Sequence, residues 1–333
     1  MLEIINSVPY NNIAEDIYFS QSKINLYKPD FEKSKQFSIE QCFCEKSFGC
    51  HQPWHKPDSN KIFDHYNEVS ELYRLNTFNN EIIITLTTIP SRLKYLDLTI
   101  NSILSQDILP DKIIINIPLK YNNFLNDFII PDNIIQNKNI IINRCTDYGP
   151  ATKLLGFMET ELYKDLSDQA LIIVIDDDRI YDNQLINNFM KEHLLHPTYA
   201  LTNTGWEIEN LTNKKIVSSH NILPRAQEYI SNGFIDILGG CCGFLLTKQM
   251  TNFDKNIFKV DNTNSKYYVD DIWFSGFLTK NNTMIYMING QDALRHLNDQ
   301  IDSLTDNQIY KRNKSNCECI QYFINTYGIW QNN

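Results

Sequence analysis

The chain of 333 residues lacks any apolar run of membrane-spanning length, and its first residues, Met1-Leu2-Glu3-Ile4-Ile5, lack the charged and apolar regions of a signal peptide. The expectation is a cytoplasmic protein that meets a membrane, if at all, through partners or substrate. It also lacks an excess of basic charge. Lys and Arg number 30 against 40 Asp and Glu, a net of -10, which argues against a broad phosphate-backbone surface and against nucleic acid as a partner. Zinc-type spacing is missing among the 8 cysteines. Cys42, Cys44 and Cys50 gather near His51 and His55 in no common signature, so a zinc site is disfavoured. Cys241 with Cys242, and Cys317 with Cys319, stand too close in sequence to be good disulfide candidates, which suits reduced thiols in a cytosolic chain. No repeat recurs at a solenoid-like period. Finally, Thr87-Thr88-Ile89-Pro90-Ser91-Arg92 contains no glycine. That disfavours a dinucleotide fingerprint, a P-loop and the glycine-rich phosphate loop of a sugar nucleotidyltransferase.

What is present is an ordinary globular composition, 42% hydrophobic and 21% charged, on a length that suits one large domain with an appendage or two modest domains. Residues 1–60 are rich in aromatic and polar side chains without strand–helix alternation, and 61–80 read as a linker with a short helix near Val69–Leu75. From residue 81 the pattern becomes regular. Strands are expected at Ile82–Leu86, Ile113–Ile117, Ile140–Asn143 and Leu171–Ile175. Helical spacing follows the first of these, with Ser91 as its N-cap, and another helix begins at Pro150. Further on, helices are expected at Asn183–Leu195 and Val269–Thr279, strands at Ala200–Thr204, Phe234–Leu238 and Met284–Ile288, and one long or two short helices over Asp306–Tyr327. This rhythm predicts an α/β fold, a mostly parallel sheet with helices on both faces, over residues 81–300, with a helical tail over 301–333.

The most informative stretch is Leu171-Ile172-Ile173-Val174-Ile175 running into Asp176-Asp177-Asp178. A buried strand ends in three carboxylates at the sheet edge where α/β proteins bind ligands. Adjacent acids repel, and a hard divalent cation with oxygen ligands would relieve this. With the backbone extended, Asp176 and Asp178 would point the same way. The bland reading is a solvated turn or a set of helix-capping acids. Asp270-Asp271-Ile272-Trp273 is a second acidic group, read either as favourable charge at a helix start or as a general base for an acceptor hydroxyl. Trp273 has two readings as well, a stacking face for a sugar or a core side chain. Asp147-Tyr148-Gly149-Pro150-Ala151-Thr152-Lys153 follows the third strand at the same edge, and Gly239, Gly240 and Gly243 permit either close ligand approach or a tight turn. His296 is a lone late histidine.

Taken in order, Thr87–Arg92, Asp147–Lys153, Asp176–Asp178, the glycine turn, Asp270-Asp271-Ile272-Trp273-Phe274-Ser275 and His296 resemble nucleotide-sugar glycosyltransferases of the GT-A fold, near the family-2-like group, over residues 80–300. The resemblance implies a transfer from a nucleotide sugar, a UDP-sugar foremost, to a hydroxyl of a glycan, lipid-linked sugar or protein, with inversion. It implies Mn2+ or Mg2+ held by Asp176, Asp178 and His296, and donor contacts from Thr87, Arg92, Asp147, Lys153, Asp176, Asp177, Gly239 and Gly240. Asp271 would be the base, with Asp270 beside it where the family usually has Glu. Segments around Glu15-Asp16, Gln36–Glu40 and Gly49–Trp54 resemble the last third of a second glycosyltransferase-like domain without its nucleotide-binding strands, as in a piece of a longer multidomain enzyme or a degenerate remnant of such a domain. The alternative is a non-catalytic glycan-binding or scaffolding domain that keeps the fold.

Overall fold

The structure is a computed structural model that describes residues 80–121, 130–208, 222–225, 233–253, 269–288, 294–295 and 309–330. The chain divides into two compact units, residues 1–78 and 79–333, and the described residues all lie in the second. The expectations for residues 1–60 and the linker, and for His296, fall outside the described residues.

Strands β1 (Ile82–Thr87), β2 (Lys112–Pro118), β3 (Ile140–Cys145) and β4 (Leu171–Val174) come first, followed by the short β5 (Arg179–Ile180). Then come β6 (Ala200–Thr202), β7 (Gly205–Ile208), β8 (Ile222–Arg225), β9 (Gly233–Ile235), β10 (Ile237–Leu238), β11 (Phe244–Thr247), β12 (Ile285–Met287) and β13 (Leu294–Arg295). Eight of them form one sheet in the order β3-β2-β1-β4-β11-β6-β12-β9. The β3-β2-β1-β4 half is parallel throughout, and the other half mixes parallel with antiparallel pairing. The fold is α/β. Runs such as Ile82-Ile83-Ile84 and Leu171-Ile172-Ile173-Val174 are buried at every position, as strands covered on both faces require.

The helices are α1 (Leu96–Leu104), α2 (Asp132–Ile135), α3 (Thr152–Leu155), α4 (Glu161–Asp165), α5 (Leu185–Leu195), α6 (Asp270–Lys280) and α7 (Ile309–Tyr327). On one face, Ile83, Ile114, Ile172 and Val174 share a core with Leu154, Leu155 and Phe157 near α3, with Trp273, Phe274 and Phe277 of α6, and with Ile320, Phe323 and Ile324 of α7. The expected tail helix is thus single and continuous.

The strand expected at Phe234–Leu238 is two, β9 and β10, which belong to different sheets, and two helical expectations also need correction. Ser91 does not cap a helix. Residues 93–95 form a 3-10 turn before α1, and the buried Ser91 hydroxyl has no hydrogen-bond partner among the described residues. The helix expected from Pro150 is broken into 3-10 and α pieces between Gly149 and Asp165. A buried polar network explains part of this. The Lys153 carbonyl accepts from Thr85 Oγ1 at 2.5 Å and from Asn116 Nδ2 at 3.1 Å, so the segment is tied to β1 and β2 rather than free to continue as a regular helix.

Topology decides what meets at the sheet edge. Because β1, β3 and β4 run parallel, their C-terminal ends, carrying Thr87-Thr88, Asp147 and Asp176, open on one side. β11 is antiparallel to β4, with Phe244 opposite Val174, so the glycine turn that precedes β11 arrives at that same edge.

Candidate functional site

Asp176 leaves β4 toward the amine of Lys153, with Nζ 2.5 Å from Oδ1. The same amine lies 3.0 Å from Asp270 Oδ2 at the start of α6. Lys153 is anchored through its carbonyl, as above, and its side chain is only 7% exposed. Burial works to lower the pKa of its ammonium, but Asp176, Asp270 and Asp271 outweigh burial and hold it well above its usual range. For Asp176, burial works against ionisation and Lys153 prevails, so its carboxyl sits below the usual range. Among the described residues Asp270 Oδ2 is buried without an aligned hydrogen bond, and its contact with Lys153 is Coulombic.

Asp271 reaches the centre by a different route. Its Oδ1 accepts the Gly240 N–H at 3.1 Å. Ser275, one turn along α6, accepts from Leu238 N–H at 3.0 Å and donates to the Asp271 carbonyl at 2.6 Å, stitching the helix start to the strand leading into the turn. A Cβ on Gly240 would stand 2.9 Å from Asp271 Oδ1, 3.2 Å from Lys153 Nζ and 3.9 Å from Asp176 Oδ1. Of the two readings of the glycine turn, close approach is the one realised at Gly240, and the approach is to the acids themselves.

The other two acids turn away. Asp177 takes Arg92 Nη1 at 2.8 Å and Thr88 Oγ1 at 2.7 Å, and burial raises its carboxyl above the usual range despite both. Asp178 stands 3.7 Å from Arg92 Nη1 and 3.6 Å from Arg179 Nε. The expectation that Asp176 and Asp178 point the same way fails because the chain turns at Asp177-Asp178 instead of staying extended, and the two carboxylates face different cations. Among the described residues no group of three His, Cys, Asp or Glu could hold a metal ion. Asp176, Asp177 and Asp178 are each engaged by a cation of the chain, and His296, the third expected ligand, lies outside the described residues.

The remaining sequence candidates are more scattered. Thr87 donates its hydroxyl to the Asn116 carbonyl at 2.8 Å, which uses it to join β1 to β2. Asp147 Oδ1 closes its own turn by accepting Gly149 N–H at 2.8 Å. Gly239 packs against Thr204, whose Cγ2 would lie 2.7 Å from an added Cβ. Trp273 is core: its ring packs 5.1 Å from Phe323 and 5.3 Å from Tyr322, so the sugar-stacking reading gives way. His296 lies outside the described residues, although its neighbour Arg295 pairs with Arg179.

Three residues were missed. Thr88, not Thr87, touches the acid cluster. Arg179 follows the acids directly, and its neighbourhood was the available signal. Tyr181 is buried, and its hydroxyl accepts the Asp176 N–H at 2.9 Å while lying 3.3 Å from the Cys241 carbonyl. Nothing in the sequence marks it.

Solved structures similar to this chain include those of S. aureus TarS residues 1–349, alone and in complexes with UDP and with UDP-GlcNAc. Their TM-scores are 0.38, 0.39 and 0.39, with 13%, 12% and 13% identity. Each match covers 64% of this chain, and 59%, 59% and 57% of those chains, so this chain spans less than two thirds of their length. No protein-family model and no curated protein matches the chain. No helix among the described residues is long and apolar enough to cross a membrane.

Proposed function

We propose that the chain is a GT-A glycosyltransferase that moves a sugar from a nucleotide donor, a UDP-sugar foremost, to an acceptor hydroxyl. The reading rests on the motif resemblance. The observation that carries it structurally is the convergence of two distant acidic motifs on one glycine: Asp176 and Asp271 both approach Gly240, with Lys153 between them. In this reading Asp271 accepts the proton of the acceptor hydroxyl as that oxygen bonds to the anomeric carbon. The nucleoside diphosphate departs from the opposite face, so the configuration inverts. Lys153 holds Asp176 and Asp270 in place, and Arg92 does the same for Asp177. Gly240 fixes the base through its N–H while leaving no side chain in the approach.

Asp176, Asp177 and Asp178 each face a cation of the chain, so Mn2+ or Mg2+ dependence is a separate quantity to measure. The test is release of free nucleotide from a panel of UDP-, GDP- and TDP-sugars, with and without a candidate acceptor, in Mn2+, in Mg2+ and in chelator. The expected result is release from at least one UDP-sugar that rises with acceptor. Absence of release from every donor in all three conditions would favour the non-catalytic, glycan-binding alternative.

A further inference from the structure

The glycine turn carries a pair of thiols that the proposed transfer does not use. Cys241 Sγ and Cys242 Sγ lie 3.6 Å apart. That is far beyond the ~2.05 Å of a disulfide. It is the contact distance of two unbonded sulfurs, so the pair already stands side by side, and a pyramidal trivalent arsenic bonded to both would draw them only slightly closer. The turn is fixed before any ligand arrives. Gly243 N–H bonds to the Gly240 carbonyl at 3.0 Å, Asn203 Nδ2 donates to the Cys242 carbonyl at 2.9 Å, and Tyr181 OH lies 3.3 Å from the Cys241 carbonyl. The two sulfurs are therefore held together at little further entropic cost, as a chelating pair requires.

We infer that Cys241 and Cys242 form a vicinal dithiol site for a thiophilic centre of the trivalent arsenic class, independent of the sugar transfer. Among the described residues no third His, Cys, Asp or Glu joins them to make a three-donor metal group. This suits a centre that brings its own remaining substituent. With phenylarsine oxide two arsenic–sulfur bonds form, the oxide oxygen leaves as water with the two thiol protons, and arsenic stays trivalent. Cys241 is half-buried and Cys242 is buried beside it, and the contact with Cys242 together with burial raises the Cys241 thiol far above the usual range. The site is wired to the acidic motifs through the backbone: Tyr181 bridges the Cys241 carbonyl and the Asp176 N–H, and Gly240, next in chain, holds Asp271.

The test is native mass spectrometry of the full chain with phenylarsine oxide, followed by peptide mapping. The expected result is an adduct on the peptide containing both Cys241 and Cys242, removed by dimercaptopropanol but not by an equal thiol concentration of mercaptoethanol. Cys241→Ser and Cys242→Ser should each lose one adduct per chain, while Cys44→Ser and Cys317→Ser keep it. Mapping needs no variant, so the proposal stays open to refutation if a Ser variant fails to fold. Absence of arsenic from the peptide carrying both thiols, with the wild-type fold intact, would overturn it.

Discussion

Lys153 is the residue on which the acidic edge depends. Removing one partner of a buried ion pair leaves an uncompensated charge, at a cost of roughly 3–5 kcal/mol. Lys153→Met strands both Asp176 and Asp270, and Asp270 Oδ2 has no hydrogen bond to fall back on. Urea denaturation should show a loss in that range. A change below about 1 kcal/mol would mean that the lysine is solvated in solution and not paired as described. The pairing also explains where sequence reasoning stopped. Mutual repulsion of Asp176, Asp177 and Asp178 was legible, and it called for a compensating positive charge. Two of the charges that answer it come from Arg92 and Lys153, one before the second strand and the other after the third, and only the parallel order of β1, β2, β3 and β4 brings them there.

At the scale of elements, α6 does two things at once: its first turn presents Asp270 and Asp271, and its interior packs on α7. Gly276 makes that packing close, since an added Cβ would lie 2.4 Å from Phe323 Cζ. Gly276→Ala should therefore destabilise by about 1–3 kcal/mol through overpacking, despite the better helix propensity of Ala. Phe323→Ala, which empties a fully buried site, should cost about 3–5 kcal/mol. In the double variant the added methyl no longer meets a ring. The two losses should then fall well short of adding, and strict additivity in a thermal or urea double-mutant cycle would contradict this contact. The parallel strands were readable from their isoleucine runs because burial on both faces removes the need for alternation. The breaks between Gly149 and Asp165 were not. They reflect in part Thr85 and Asn116 pinning the Lys153 carbonyl, a long-range contact that local periodicity does not register.

For the molecule as a whole, stability toward acid has an identifiable contributor in His193 on α5. Its imidazole is buried, and burial lowers its pKa to about 4 from the ordinary value near 6.5. The unfolded chain binds a proton below about 6.5 that the folded chain refuses until about 4. Stability supplied above pH 6.5 is thus lost as the pH falls between these values, by up to about 3 kcal/mol. His193→Leu should flatten the fall in melting temperature over that window, and an unchanged pH profile would contradict the assignment. The α/β class was legible from the order of strands, whereas the meeting of Asp270-Asp271 with the edge that carries Asp176 was implied by the resemblance alone. The antiparallel insertion of β11, which carries the glycine turn to that edge, was not legible, because strand direction leaves no mark in a four-residue apolar run.

The most direct measurement is of UDP-sugar affinity and turnover, side by side, for wild type and Asp271→Asn. The account predicts that turnover falls by about 10²–10⁴-fold while donor affinity stays near the wild-type value, because the amide keeps the shape beside Gly240 but accepts no proton. Wild-type turnover in the Asp271→Asn protein would contradict it.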